Sequence, residues 1–259
     1  MTGAIMHHIA LRHGDVGRYV LLPGDPGRCE RIARRFDDAR LVARNREYET
    51  WTGTLTGVLV SVTSTGIGCP SAAIAVEELL QCGADTFIRV GTAGGMHRGM
   101  QTGELAIVTA AIRDEGTTSH YLPMAFPAIA DLDVVLALRE AARRTGARAR
   151  EGVSQSKDSF YGEIEHERMP LHERLAERWQ AFIAGGAICS EMEAAAIFII
   201  ASIHRVRAGG IMACVGNPDM TEAQVAHSMK AFDLDEVINT AVEGLRVLIE
   251  RDAEAGARA

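Results

Sequence analysis

Short apolar runs alternate along the chain with segments whose apolar residues recur at helical spacing. Four runs rich in Val, Ile, Leu and Thr, a composition typical of β-strands, lie at 18–23, 59–65, 86–91 and 105–112. The clearest helical pattern follows the second run, at 70–83. Because the strands are apolar on both faces, we predict an α/β fold: a three-layer α/β/α sandwich around a mixed, mostly parallel central sheet.

Two predicted helices have ends that the sequence marks well. Pro70 suits the first turn of a helix, and Gly83 suits its C-terminal cap. The last helix is expected to begin at Asp233, with Glu236 completing a capping box. Its apolar residues form one stripe: Leu234, Val237, Ile238, Ala241, Leu245 and Leu248. Since no linker or internal repeat interrupts the chain, we expect residues 1–259 to form one domain.

Composition and charge favour a globular protein with a small ligand. The chain has 259 residues, of which 47% are hydrophobic, and a formal net charge of -7. This charge argues against nucleic acid or an anionic membrane as a partner, so a few local arginines must hold any anion. No apolar run approaches the roughly 18 residues that span a bilayer. We therefore expect a cytoplasmic protein without a membrane partner.

The cysteines and histidines do not form a metal-binding pattern. The nine histidines include neither HExxH nor a comparable motif. The five cysteines are odd in number and never spaced as CxxC, at Cys29, Cys69, Cys82, Cys189 and Cys214. We expect reduced thiols, mostly in the core, with neither a zinc site nor a disulfide framework.

Two predicted strands run into glycine-containing loops that suit an anion. The segment LLPGDPGR leads a strand into Gly24 and Arg28 just before a helix. In FIRVGTAGG, Arg89 lies within an otherwise apolar strand, where it is costly to bury unless it meets an anion or a carboxylate. An ordinary strand-to-helix turn and an arginine paired with a core carboxylate are the alternatives for these segments. Neither loop is a Walker A or GxGxxG motif.

A third segment, STGIGCPSAAIAVEEL, carries a resemblance to a known family. It fits the signature of the nucleoside phosphorylases, which include uridine phosphorylases and hexameric purine nucleoside phosphorylases, at Gly66, Gly68, Pro70, Ser71, Ile74, Glu78 and Leu79. The similarity extends from His8 to about Ile249 and is strongest to bacterial uridine phosphorylases. Its other segments include VLLPGDPGRCERIA, NREYETWTG, GADTFIRVGT, KDSFYG and SEMEAAA.

The resemblance implies a phosphorolytic enzyme whose active site is shared between subunits. The expected assembly is a homohexamer, a trimer of dimers, and the expected partners are a nucleoside and inorganic phosphate as co-substrate. Ribose would be held by Met192, Glu193 and, across the dimer, His8. Phosphate would be held by Gly24, Arg28, Arg89 and Thr92, with Arg46 of the partner subunit. No cofactor is required, and a monovalent cation such as K⁺ can sit at the positions matching Glu47, Ile67 and Ser71.

The base pocket departs from the family pattern. Glu163 stands where uridine phosphorylases carry a glutamine that reads uracil, while Phe160 is retained to stack on the base. Arg168 is the arginine of this segment that could offset the charge of Glu163. The other expected base contacts are Ala93, Gly94, Asn217 and Asp219. We expect uridine to be the substrate, with inosine or guanosine as the alternative because a carboxylate suits the N1–H of a 6-oxopurine.

Two further functions remain as alternatives. A nucleosidase would use water instead of phosphate, and a nucleoside-binding protein would catalyse nothing. The arginine set Arg28, Arg46 and Arg89 argues against both, since a protein that does not use phosphate has little reason to keep it.

Overall fold

The computed structural model describes residues 4–220, 224–225, 228 and 233–256. Its ten described strands are β1 (Tyr19–Leu22), β2 (Asp37–Asn45), β3 (Tyr48–Leu55), β4 (Val58–Thr63), β5 (Thr86–Gly95), β6 (Leu105–Asp114), β7 (Ala128–Ile129), β8 (Ala149–Lys157), β9 (Cys189–Glu191) and β10 (Arg207–Gly216). Its described α-helices are α1 (Gly27–Ala33), α2 (Cys69–Gln81), α3 (Leu132–Thr145), α4 (Tyr161–Ile164), α5 (His172–Ala184), α6 (Ala194–His204) and α7 (Asp235–Gly256).

The strands form one mixed sheet with a parallel centre. Strands β4, β1, β5 and β10 lie side by side in parallel, so that Thr86 pairs with both Tyr19 and Arg207. Strands β3 and β2 extend the β4 edge in antiparallel fashion. The parallel strands point their carboxyl ends to the same edge, where the loops after β1 and β5 meet. The predicted fold class is confirmed.

One half of the sheet curls into a closed ring that the sequence pattern did not predict. Strand β5 pairs with β10 on one side and, through its last residues, with β9 on the other. Strands β9, β8, β6 and β10 then pair in turn. The turn of β5 towards β9 occurs at Gly94 and Gly95, which face Ser190 and Cys189.

Helices cover both faces of the sheet. Helices α2 and α6 pack on one face. Helix α6 is buried there because its sequence is apolar on all sides. Helices α1, α3 and α7 pack on the other face. At Gly244 of α7 an added Cβ would lie 2.8 Å from Cδ2 of Leu138, so this glycine lets α7 approach α3 closely.

The predicted helix ends agree closely with the structure. Helix α2 has its proline in the first turn, and Gly83, two residues beyond the helix, has φ +104°. Helix α7 begins at Asp235 instead of Asp233, and the Asp233 carboxylate accepts a hydrogen bond from the Asp235 N–H at 3.1 Å. Within the described part of the chain, every helix is too short or too polar to cross a membrane.

Candidate active site

A buried ion pair forms the centre of the candidate site. Arg89, in β5, is 5% exposed, and Glu193, directly before α6, is 3% exposed. The Arg89 guanidinium donates to the Glu193 carboxylate, and its Nη1 also lies 3.3 Å from the Leu22 carbonyl oxygen. Arg89 is therefore paired with a buried carboxylate, and this carboxylate is itself one of the predicted ribose-binding residues.

Glu193 is also anchored to a second helix. Its other carboxylate oxygen accepts the N–H of Gly68, at the start of α2, at 2.7 Å. Because Glu193 is buried and carries two partners, it is not a solvated acid at a helix N-terminus. Strand β5 and the N-termini of α2 and α6 therefore converge on one carboxylate.

The loop after β1 closes over Arg89. A Cβ added at Gly24 would lie 3.3 Å from Nη1 of Arg89 and 3.2 Å from the Gly66 carbonyl oxygen. Glycine therefore allows the backbone to lie directly against the guanidinium. The structure thus brings together two of the predicted phosphate residues, and Thr92 lies half-buried further along β5.

Two guanidiniums at this point have hydrogen-bond donors that no residue of the described chain uses. Arg28, in α1, has a buried Nε without a hydrogen-bond partner in the described chain, and its distance to the Asp25 carboxylate is 3.8 Å. Nε of Arg89 is likewise buried and unpartnered in the described chain. Burial, and then the charge of Arg89, lower the pKa of Arg28. Two neighbouring guanidiniums with unused donors are suited to bind an anion such as phosphate.

Glu191 is a site residue that the sequence analysis missed. One of its oxygens accepts the N–H groups of Glu193 and Ala194, both at 2.8 Å, and the Ser156 hydroxyl donates to the other. These bonds cap α6 and fix the backbone that carries Met192 and Glu193. Burial, and then the charge of Glu193, raise the pKa of Glu191.

His8 is held by Glu78, a residue of α2. Its ring Nδ1 lies 2.6 Å from a Glu78 oxygen, while the N–H groups of His8 and Ile9 donate to the same carboxylate at 3.0 and 2.9 Å. Asn45 donates to the His8 carbonyl oxygen at 2.8 Å. With Nδ1 bound to Glu78, the Nε2 atom is left for a ligand.

Arg46 lies apart from the other phosphate residues within one subunit. It occupies the exposed turn between β2 and β3, with φ +54°. No described contact joins it to Arg28 or Arg89. The next residue, Glu47, accepts a hydrogen bond from the Ser71 hydroxyl at 2.9 Å.

The cation beside Glu163 is Lys157 and not Arg168. The Lys157 ammonium contacts a Glu163 oxygen at 2.7 Å and the Ser190 hydroxyl at 2.5 Å. That hydroxyl donates to the other Glu163 oxygen at 2.9 Å. Arg168 instead pairs with Glu165 at 2.6 Å and is 68% exposed, because it lies on a short surface turn. The expectation that Arg168 offsets the Glu163 charge is therefore corrected.

The other predicted base contacts lie on three different segments. Ala93 and Gly94 lie in β5, and Phe160 is 42% exposed before α4. After β10, Asn217 donates to the Met100 carbonyl oxygen, and Asp219 pairs with Arg98 at 3.0 Å. In the described structure these last two residues contact the loop at 98–100.

Comparison with known proteins identifies the family. A family model described as "Phosphorylase superfamily" matches residues 18–251. The chain belongs to the phosphorylase superfamily. It is 47% identical to a uridine phosphorylase of Treponema pallidum over 95% of both chains. It is 36% identical to a uridine phosphorylase of Escherichia coli, over 96% of this chain and all of that one. A guanosine phosphorylase of Halorubrum lacusprofundi is 38% identical over 88% of both chains.

Two of the three predicted cation-site residues are in contact in this phosphorylase. Glu47 and Ser71 share a hydrogen bond, and the pKa of Glu47 is lowered by a bond from its own backbone N–H and by Ser71. Ile67 is 78% exposed and follows Gly66, where an added Cβ would lie 2.7 Å from both Cγ of Glu47 and Oγ of Ser71. The described residues contain no cluster of three or more histidine, cysteine or acidic side chains suited to a metal, and their five thiols are buried.

The Glu78 contact predicts a pH-dependent stability. Burial opposes ionisation of Glu78, but the hydrogen bonds from Ile9 and His8 lower its pKa overall. A carboxylate with a lowered pKa stabilises the fold above its unfolded pKa of about 4.3, and this contribution is lost as pH falls through the folded value. We expect Glu78→Gln to reduce the free energy of unfolding by about 1–2 kcal/mol at pH 6, and by less at pH 4. Urea unfolding at both pH values measures this.

The matched control is Glu77→Gln, one position earlier on α2. Glu77 reaches His204 at 3.4 Å but accepts none of the backbone hydrogen bonds that Glu78 accepts. Its substitution should change stability by less than about 0.5 kcal/mol. An equal loss for Glu78→Gln at pH 6 and pH 4 would contradict the assigned role.

Proposed function

We propose that this protein is a uridine phosphorylase, a pentosyltransferase that uses inorganic phosphate to convert uridine into uracil and ribose 1-phosphate. The observation that carries the proposal is the pair of guanidiniums beside Glu193, those of Arg28 and Arg89, whose buried Nε donors have no partner in the described chain. Membership in the phosphorylase superfamily and the identity to named uridine phosphorylases support it.

Phosphate is bound by Gly24, Arg28, Arg89 and Thr92 in this proposal. The backbone at Gly24 and the two guanidiniums supply donors in a largely dry pocket, where charge-assisted hydrogen bonds are strong. Arg46 of the partner subunit adds a third guanidinium. A dianion among these cations accepts hydrogen bonds from donors that have no partner within the described chain.

Glu193 and Met192 hold the ribose. Vicinal hydroxyls donate to the Glu193 carboxylate, which Arg89 and the Gly68 N–H hold in position. Phosphate shares the guanidinium of Arg89 with Glu193, so the two substrates are positioned by one residue. The partner subunit's His8 binds the 5′-hydroxyl through the ring nitrogen that Glu78 leaves unused.

The reaction needs no enzyme nucleophile and no cofactor. As the bond between C1′ and the base nitrogen stretches, the ribose gains positive charge, which the phosphate dianion stabilises. A phosphate oxygen then bonds to C1′ with inversion, and the electron pair of the broken C1′–N bond leaves with the base. The uracil anion takes up the proton that the phosphate group releases. The positioned phosphate replaces a bimolecular encounter, which accounts for much of the acceleration.

A 6-oxopurine nucleoside is the second candidate substrate. Glu163 replaces the glutamine expected of uridine phosphorylases, and Phe160 provides a stacking surface that either base could use. The 38% identity to a named guanosine phosphorylase also favours this candidate. Hydrolysis is less consistent with the site, because water would not need Arg28 and Arg89.

We infer a cytoplasmic homohexamer, a trimer of dimers, in which neighbouring subunits complete each other's sites. The exposed position of Arg46 and the His8 ring nitrogen that Glu78 does not bind support this sharing. A K⁺ ion at Glu47, Ile67 and Ser71 suits the paired carboxylate and hydroxyl, and its role is structural.

Phosphate dependence tests the proposed reaction. Base release from uridine should require phosphate and yield ribose 1-phosphate. Arg89→Ala should lower kcat/KM by a factor corresponding to about 2–4 kcal/mol, because it removes a charged contact in a dry site. Arg139→Ala removes an ion pair of the same type at the surface and should change nothing. Base release that proceeds equally well without phosphate would rule the proposal out.

Subunit mixing tests the shared site. Arg46→Ala and Glu193→Ala proteins should each be inactive alone, whereas exchange of their subunits should restore activity, since a mixed dimer contains one intact site. The activity of the mixture after exchange is compared with that of each variant carried through the same procedure. No recovery, despite exchange shown by mass spectrometry, would mean that Arg46 acts within its own subunit.

A further inference from the structure

A buried lysine sits at the base end of the site, and neither the family resemblance nor the proposed reaction gives it a role. Lys157 is the last residue of β8 and is 7% exposed. Lysine is seldom buried to this extent unless its ammonium is paired, because desolvation of the charge is costly. The residues that pair with its ammonium therefore indicate why it is buried here.

Lys157, Glu163 and Ser190 form a closed triangle of hydrogen bonds. The ammonium donates to Glu163 at 2.7 Å and to Ser190 at 2.5 Å, and the Ser190 hydroxyl donates to the second Glu163 oxygen at 2.9 Å. The triangle has no net charge, and each member fixes the orientation of the others. A carboxylate in this setting is not a free negative charge facing the departing base.

The triangle has unused hydrogen-bonding capacity. An ammonium has three N–H donors, and those of Lys157 contact two acceptors among the described residues. A carboxylate has about four acceptor positions, of which two on Glu163 are occupied. One donor of Lys157 and about two acceptor positions of Glu163 thus remain available.

The triangle lies where the base is expected. Ser190 pairs with Gly94 at the end of β5, the strand that carries Arg89, and precedes Glu193 by three positions. Lys157 and Glu163 also line a cavity of about 170 Å³ that Asp114, Arg178 and Trp179 border, and whose lining does not include Arg89, Glu193 or Phe160. Such a volume holds several water molecules, at about 30 Å³ each, so the pair faces space that a ligand can enter.

We propose that Lys157 and Glu163 together read the lactam edge of the base, a C=O group next to an N–H group. The Lys157 ammonium donates to the carbonyl oxygen, and the Glu163 carboxylate accepts the N–H. Uracil, hypoxanthine and guanine present this edge. Cytosine and adenine instead present an amino group next to a ring nitrogen without a proton, so the donor and the acceptor are exchanged. Lys157 also stabilises the negative charge that spreads onto the carbonyl oxygen as the base departs. This proposal rests on the proposed nucleoside site.

Nucleoside binding without phosphate tests the proposal separately from turnover. By calorimetry, wild-type protein should bind uridine at least 10-fold more tightly than cytidine. It should bind 3-methyluridine, which lacks the N–H, at least 10-fold more weakly than uridine. Lys157→Met should weaken uridine binding by roughly 10- to 100-fold, the loss expected for one charged hydrogen bond, and should reduce the preference over cytidine.

A double variant separates base recognition from a structural role of Lys157. In Lys157→Met with Glu163→Gln, the buried charges are removed together, and the glutamine amide supplies both a donor and an acceptor for the lactam edge. This variant should recover at least five-fold in uridine affinity over Lys157→Met and should still prefer uridine to cytidine. Arg174→Met, which removes an exposed cation of α5, is the control and should match wild type.

Each outcome distinguishes this proposal from the proposed reaction. Unchanged uridine affinity in Lys157→Met, equal binding of uridine and 3-methyluridine, or no nucleoside binding by wild type would overturn it. If ribose 1-phosphate forms but the uridine affinity of Lys157→Met is unchanged, the proposed recognition of the base is wrong and the proposed reaction is supported. If the binding preferences are as expected but no phosphate-dependent turnover occurs, the proposed reaction is wrong and the proposed recognition of the base is supported.

Discussion

The buried ion pair between Arg89 and Glu193 is the interaction on which the site depends. Both charges are withdrawn from water, so each requires the other, and removal of either leaves a costly unpaired charge. Through Glu193 the pair also reaches the Gly68 N–H, which joins β5, α2 and α6. Residues 68, 89 and 193 are distant in sequence, and the site therefore exists only when the whole sheet and both helices have folded.

The same pair is the basis of the proposed anion site in an acidic protein. Glu193 offsets one guanidinium, while Arg28 beside it and the Nε of Arg89 retain donors without partners in the described chain. The net charge of -7 is thus irrelevant at the site, where local cations dominate. At the other end, Lys157 and Glu163 cancel each other, so a base meets a neutral surface with a directed donor and acceptor.

Much of this organisation follows from the sequence. The apolar runs predicted the parallel centre of the sheet, and Arg89 within such a run, together with the glycine loop at 24, predicted the contact between that loop and the Arg89 guanidinium that the proposed anion site uses. The ring closed by β9 was not predicted, because β9 has only three residues and pairs with strands far away in sequence. Strand pairing over such separations leaves no local periodicity to detect.

The missed site residues share a physical cause. Lys157 stands in the polar stretch SQSKDS, which reads as a solvated strand end, and its burial depends on Glu163 and Ser190 arriving from other segments. Glu191 was missed for the same reason. It accepts backbone N–H groups that are brought together only once α6 forms. Composition and spacing do not encode such contacts.

The anion site is tested most directly by thermal unfolding in inorganic phosphate, compared with chloride at equal ionic strength. A ligand that binds the folded state raises the unfolding temperature with its concentration. The wild-type midpoint should rise with phosphate, and this rise should be lost in Arg28→Met but kept in Arg31→Met, which alters an exposed arginine of the same helix. Equal midpoints of the wild-type protein in phosphate and chloride would contradict the account.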